Sequence, residues 1–257
     1  MDIYQHFRKE EQPFIDQVLS WQDEVASRYE RRVSDFLDPR EQYIFRSIIG
    51  HNDEFVLKDF GGYENAERKR LLLAPYYESP EEGDFGITLL QASYPSKFVT
   101  LEHRDVLGAF MSLGIKRSKL GDLIVTDSYI QILLASEIAD YVKMNLTGVK
   151  KAGVAFEERP FKEVLETQDH WQEQSGTVSS LRLDVMVKEI YNISRQKASL
   201  FIDKGAVKVN FRTVEDPSFT LETGDLISLR GKGRSVVKEI EGKTKKDKWR
   251  IVTAVLK

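Results

Sequence analysis

Cysteine is absent from all 257 residues, which excludes disulfides, thiolate zinc centres and thiol nucleophiles together. Histidine is nearly as scarce. His6, His51, His103 and His170 are the four present, too scattered for metal-ligand spacing, so no metal or other cofactor is expected. No apolar run approaches the ~20 residues that a membrane-spanning helix requires. The opening Met1-Asp2-Ile3-Tyr4-Gln5-His6 does not start a signal peptide. A cytoplasmic protein without a membrane partner is the expectation. There is no low-complexity tract, and 41% apolar with 31% charged residues are the proportions of a folded globular chain.

What is there is charge, unevenly spread. The whole-chain balance of −3 hides a split: residues 181–257 carry 17 Lys and Arg against 10 Asp and Glu, whereas residues 1–180 carry 21 against 31. A basic end on an acidic body points to a polyanionic partner for that end alone.

The basic end reads as a small domain. Leu183, Val187 and Ile190 share one helical face. Ser194 is a good N-cap for a second helix, with Ala198 and Ile202 on its apolar side and Gly205 placed to end it. Val207-Lys208-Val209-Asn210 alternates as a strand, Pro217-Ser218 and Gly224-Asp225 mark turns, and Leu226 to Leu229 reads as another strand. Beyond Arg234, Val236 to Ile240 and Trp249 to Val255 read as a hairpin whose tip groups Lys243, Lys245, Lys246 and Lys248. That tip is either solubilising or a further contact for the polyanion.

Arg182-Leu183-Asp184, Ser194-Arg195, Gly205, Val207-Lys208-Val209-Asn210, Pro217-Ser218 and Gly224-Asp225 together resemble the ribosomal S-four (alpha-L) RNA-binding domain. Phe211 departs from that family, which usually has Gly after Val-Asn. The resemblance implies that two helices present a basic face to structured RNA, centred on Arg182, Ser194, Arg195 and Lys197, with Lys204 and Lys208 flanking. A helix N-terminus suits a phosphate because its backbone N–H groups and positive dipole end are free.

The acidic body begins with helices. Phe14, Val18, Trp21 and Val25 form an apolar stripe behind Pro13. Asp38-Pro39-Arg40-Glu41 is a capping-box start, with Phe45, Ile48 and Ile49 as the buried side and Gly50 as the stop. Phe55 to Phe60 reads as a strand and Asn65 to Leu73 as a helix. Strand 85–94, helix 102–113, strands 123–126 and 129–134, helix 136–146 and strand 152–156 follow, which is the split βαβ order of ferredoxin-like folds. The aromatic-rich strand with which RNA-recognition motifs of that fold stack bases is missing. Lys116, Arg117 and Lys119, in a loop bracketed by Gly114 and Gly121, read equally as a second RNA contact and as a charged connector. His103 beside Asp105 can be drawn as an acid–base pair, but no nucleophile accompanies it.

Thr100 to Gly108, the 114–122 loop, and Thr177-Val178-Ser179-Ser180 running into Leu181-Arg182-Leu183-Asp184 resemble the YlmH-like proteins of Gram-positive bacteria. That resemblance covers nearly the full chain. It implies a ribosome-associated RNA-binding factor, linked to cell division and to rescue of stalled large subunits, with large-subunit rRNA and tRNA as partners.

The expected architecture is α+β: a helical N-terminal segment with a short strand (1–75), a ferredoxin-like, RRM-like middle domain (76–165), a linker (166–180) holding a short strand at most, and the alpha-L RNA-binding domain with its hairpin (181–257). The expected function is non-catalytic RNA binding. Two alternatives stand beside it. Pseudouridine synthases often carry this domain, but their catalytic Asp lies in Gly-Arg-Leu-Asp; here Leu181 replaces Gly and no catalytic domain follows. The other is an adaptor for the division machinery, acting through the acidic body.

Overall fold

Residues 1–167 and 168–257 form separate units in the computed structural model, which describes residues 3–7, 11–50, 52–165 and 171–256. His51 and His170 lie outside the described residues, as does most of the first half of the expected linker.

The first unit opens with α1 (Gln12–Arg28), β1 (Arg32–Val33), α2 (Pro39–Ile49), β2 (Phe55–Phe60) and β3 (Arg70–Pro75), the strands forming an antiparallel sheet in the order β1-β3-β2. The capping box at α2 is complete. Asp38 accepts from the backbone N–H groups of Arg40 and Glu41, and the Asp38 N–H donates to Glu41 at 2.8 Å. The stripe Phe14, Val18, Trp21 and Val25 packs with Phe45, Ile49, Leu71 and Leu73.

The helix expected over 65–73 is not there; its second half is β3. Every residue of that strand is buried, because Leu71 and Leu73 face the helices while Leu72 and Ala74 face Phe36, Phe85, Leu89 and Leu133. A strand covered on both sides loses its alternation, and a short apolar run then reads as helix or strand alike.

The unit continues with β4 (Ile87–Ser93), α3 (His103–Met111), β5 (Leu120–Val125), β6 (Tyr129–Ala135), α4 (Ala139–Asn145), β7 (Gly148–Val149), β8 (Ala152–Gly153) and β9 (Glu157–Arg159). The sheet order β5-β6-β4-β9, antiparallel throughout, is the ferredoxin-like arrangement. Its fourth strand is displaced from the expected 152–156. β8 pairs with β7, and the sheet edge is made by the exposed, all-charged β9. Charge suits an edge strand, whose outer backbone groups must not recruit another chain. The helix expected over 136–146 begins as a short 3₁₀ turn at Ser136, ahead of α4.

One face of this sheet (Leu90, Ile130, Ile132, Leu134) packs against Val106, Phe110 and Val142 of the helices. The other face, the one an RNA-recognition motif leaves open for bases, carries Leu89 and Leu133 and is covered by Phe36, Leu72 and Ala74. The contact is close. A Cβ on Gly121 would lie 2.6 Å from the buried Phe36 ring.

The second unit comprises β10 (Trp171–Val178), α5 (Leu183–Ile190), α6 (Arg195–Asp203), β11 (Val207–Val209), β12 (Arg212–Thr213), β13 (Leu226–Leu229), β14 (Gly233–Lys243) and β15 (Trp249–Leu256). Its sheet runs β10-β15-β14-β13-β11-β12. Leu183, Met186, Val187, Ile190, Ala198 and Ile202 of the helices pack on Val207, Val209, Ile227, Leu229, Val237 and Ile251. Much of the expected linker is therefore a full edge strand, paired with β15 along all eight residues. Only Val178 of β10 is buried, so its polar sequence carries no inside–outside pattern to read.

Candidate nucleic-acid interface

The site is built where α5 and α6 begin. Ahead of α5, Leu181 and Leu221 pair through the backbone, and the Leu183 and Asp184 N–H groups donate to the carbonyls of Phe219 and Pro217. These contacts satisfy the first donors of α5 internally, so that helix end is closed to a ligand.

Helix α6 is different. The Ser194 hydroxyl caps it by accepting from the Lys197 N–H. Among the described residues no acceptor meets the N–H groups of Arg195 and Gln196. The open donors and positive dipole end of this nine-residue helix suit an anion.

Asp184 ties the two starts together. Its side chain is 3% exposed and lies between two guanidiniums. Arg182 donates through Nε to Oδ1 at 3.0 Å, and Arg195 donates through Nε to Oδ2 at 2.9 Å, with its Nη2 in ion-pair contact with the same oxygen at 2.8 Å. Burial acts to raise the Asp184 carboxyl, but hydrogen bonds from Arg182 and Arg195 outweigh it and hold the group below the ordinary carboxylate range. The Arg182 and Arg195 side chains remain 41% and 59% exposed. A guanidinium has five N–H groups in a fixed fork, so each arginine keeps donors for solvent or a phosphate after binding Asp184.

The six residues expected to bind RNA thus divide. Arg182, Ser194, Arg195 and Lys197 come together at the junction of the helix starts. Lys204 is exposed at the C-terminal end of α6, about 13 Å away at 1.5 Å rise per residue. Lys208 lies on the far side of the sheet, because its neighbours Val207 and Val209 face the helices.

The loop expected as a second contact does not present three cations outward. Arg117 turns in and donates to the Leu120 carbonyl at 2.6 Å; burial, with Arg68 nearby, pulls its pKa down to about 10. Lys119 bridges Asp35 and Glu137, each at 2.6 Å. Burial would lower its pKa, but these two carboxylates raise it. Lys116 alone is exposed. Sequence shows cations in a loop but not that Asp35, over eighty positions away, takes one of them. Asp105 is likewise occupied, accepting from the Glu102 N–H and pairing with Lys150 at 2.6 Å, which leaves no base for the drawn acid–base pair. At the hairpin tip Lys243 pairs with Asp247 and lies over the Trp249 ring, whereas Lys245, Lys246 and Lys248 are exposed.

Asp184 is the residue whose role sequence reasoning missed. Its signal was present: an acid in the first turn of a helix, flanked by an arginine and facing a second basic helix start. Its motif, Arg-Leu-Asp, marks the RNA-binding domain without showing that the acid holds both arginines.

Three family models match the chain. The family model described as the N-terminal part of YlmH matches residues 10–78, one described as an RNA-binding domain in YlmH matches 80–163, and the S4 domain matches 181–227. The Bacillus subtilis (strain 168) protein named Ribosome-associated protein quality control protein P2 is 44% identical over 250 residues, 97% of each chain. A solved structure, Cell division protein ylmH from Streptococcus pneumoniae, is 32% identical, covers 64% of this chain and 99% of its own, and superposes with a TM-score of 0.55. The chain belongs to the YlmH family, with the family's two N-terminal domains followed by an S4 RNA-binding domain.

Proposed function

We propose that this protein is a non-catalytic factor that binds RNA of the large ribosomal subunit and a tRNA on it, and acts in the rescue of stalled ribosomes. The observation that carries the reading is the Arg182–Asp184–Arg195 clamp beside the open N-terminus of α6. Two guanidiniums held on one buried carboxylate surrender their rotamer freedom on folding, not on binding, so less entropy is lost when a phosphate docks. The name of the Bacillus subtilis relative supports the ribosomal setting. Asp184, buried and holding two arginines, is unsuited to the nucleophilic role it would have in a pseudouridine synthase.

The test is co-sedimentation of the purified protein with isolated large subunits carrying a tRNA. Wild type should pellet with them and Arg195→Ala should remain largely in the supernatant; equal pelleting would remove the clamp from the interface. The name of the Streptococcus pneumoniae relative favours a second reading, service to cell division. A division phenotype that survives Arg195→Glu would assign that role to a surface other than the clamp.

A further inference from the structure

Lys208 leads to a second surface. The register aligns Thr213, Lys208, Ser228 and Arg234 across β12, β11, β13 and β14. Directly opposed residues of antiparallel strands point to the same face, and this is the face turned away from α5 and α6. Of the cations in the segments that build it, 205–214 and 226–234, Lys208 and Arg234 lie in the register of this face and Arg230 and Lys232 lie in the turn joining β13 and β14, whereas Arg212, opposite Val209, belongs to the helical side.

An aromatic ring stands at one corner. β11 and β12 are joined by two residues, Asn210 and Phe211, both left-handed with φ of 48° and 65°. Two positive φ angles define a type I′ turn, in which glycine is the favoured second residue; a bulky side chain there is a genuine outlier. The surroundings hold the turn in place. Asn210 donates to Asp225 at 2.8 Å and accepts from the Leu226 N–H at 2.9 Å. The Phe211 ring is only half-buried and joins none of the hydrophobic clusters of the unit. The Arg234 guanidinium lies 5.8 Å from its centroid. A strained, half-exposed ring beside an arginine is poorly explained by packing alone.

We infer that Phe211 and Arg234 form a stacking platform for an unpaired nucleotide, with Lys208 and the turn cations taking its phosphates. Aromatic and guanidinium planes are the groups on which proteins stack splayed bases, and Lys208, Arg230, Lys232 and Arg234 near the ring match the phosphates that flank such a base. The inference rests on RNA being the ligand of this unit, and gives the unit a single-stranded contact on the sheet face opposite its helical one.

The test measures affinity of the full chain for a stem–loop RNA with and without a short 3′ overhang. Wild type should prefer the overhang by about five- to tenfold, the scale of one stacked base. Phe211→Gly suits the turn better than the native residue, so the protein should keep or raise its melting temperature while losing that preference. Phe211→Tyr should retain it. No preference in wild type, or a preference that survives Phe211→Gly, overturns the inference. Arg195→Ala reports separately: it should weaken both RNAs equally. Undiminished binding of both by Arg195→Ala, with the overhang preference intact, would sink the helical reading and leave the platform standing.

Discussion

Arg195 donates a hydrogen bond to, and forms an ion pair with, Asp184, a residue eleven positions earlier in the chain and almost completely buried. The pair joins the starts of two helices that pack side by side in the core of the second unit, so one carboxylate serves both the fold and the presentation of charge.

Replacing that carboxylate should therefore be costly in two ways. Asp184→Asn leaves two guanidiniums facing a neutral amide, and we expect a loss of about 2 kcal/mol, the scale of hydrogen bonds to a charged group. Chemical denaturation of the purified variant measures it. RNA affinity should fall as well, because neither arginine is then held in position.

The same group fixes a dependence on pH. Its folded pKa is depressed, so its contribution is complete above the ordinary carboxylate pKa of about 3.9 and disappears as pH falls through the lower folded value. Wild type should lose its margin over Asp184→Asn in acid, below about pH 4. A margin that does not change between pH 3 and pH 7 would contradict the assignment.

Lys119→Ala should affect the fold and not the ligand. Its amine is shared between Asp35 and Glu137, all partly exposed, so the loss should stay near 1 kcal/mol or below. RNA affinity should be unchanged within error in a filter-binding assay; a clear drop would restore the 114–122 loop to the interface.

Gly121→Ala places a methyl group against Phe36, a ring almost completely buried. Overpacking of this kind costs about 1–3 kcal/mol. Thermal unfolding should show it, with RNA binding by the folded protein unaltered.

Much of this was legible before the fold. Asp38 with Glu41 and Ser194 announce helix starts through chemistry that is local in sequence, and the ferredoxin-like order emerges from the alternation of apolar runs with helical segments, although β6 is buried on both faces. The failures share a cause. β3 is buried on both faces by partners that sequence does not reveal, β9 and β10 are edge strands with little buried to pattern them, and Arg117 and Lys119 are consumed by contacts distant in the chain. Phe211 was visible as a departure from glycine, but the left-handed turn that makes it unusual was not. Lys208 read as part of one basic face until the register of β11 turned it to the other.

The central claim is that the arginines on Asp184 meet phosphate. It is tested most directly by the salt dependence of RNA affinity for wild type, Arg182→Ala, Arg195→Ala and the double variant. Each lost phosphate contact should lower the slope of log K against log salt by about one unit, with the paired losses falling short of additive because both residues share one partner. Slopes and affinities identical to wild type in all three variants would contradict the account.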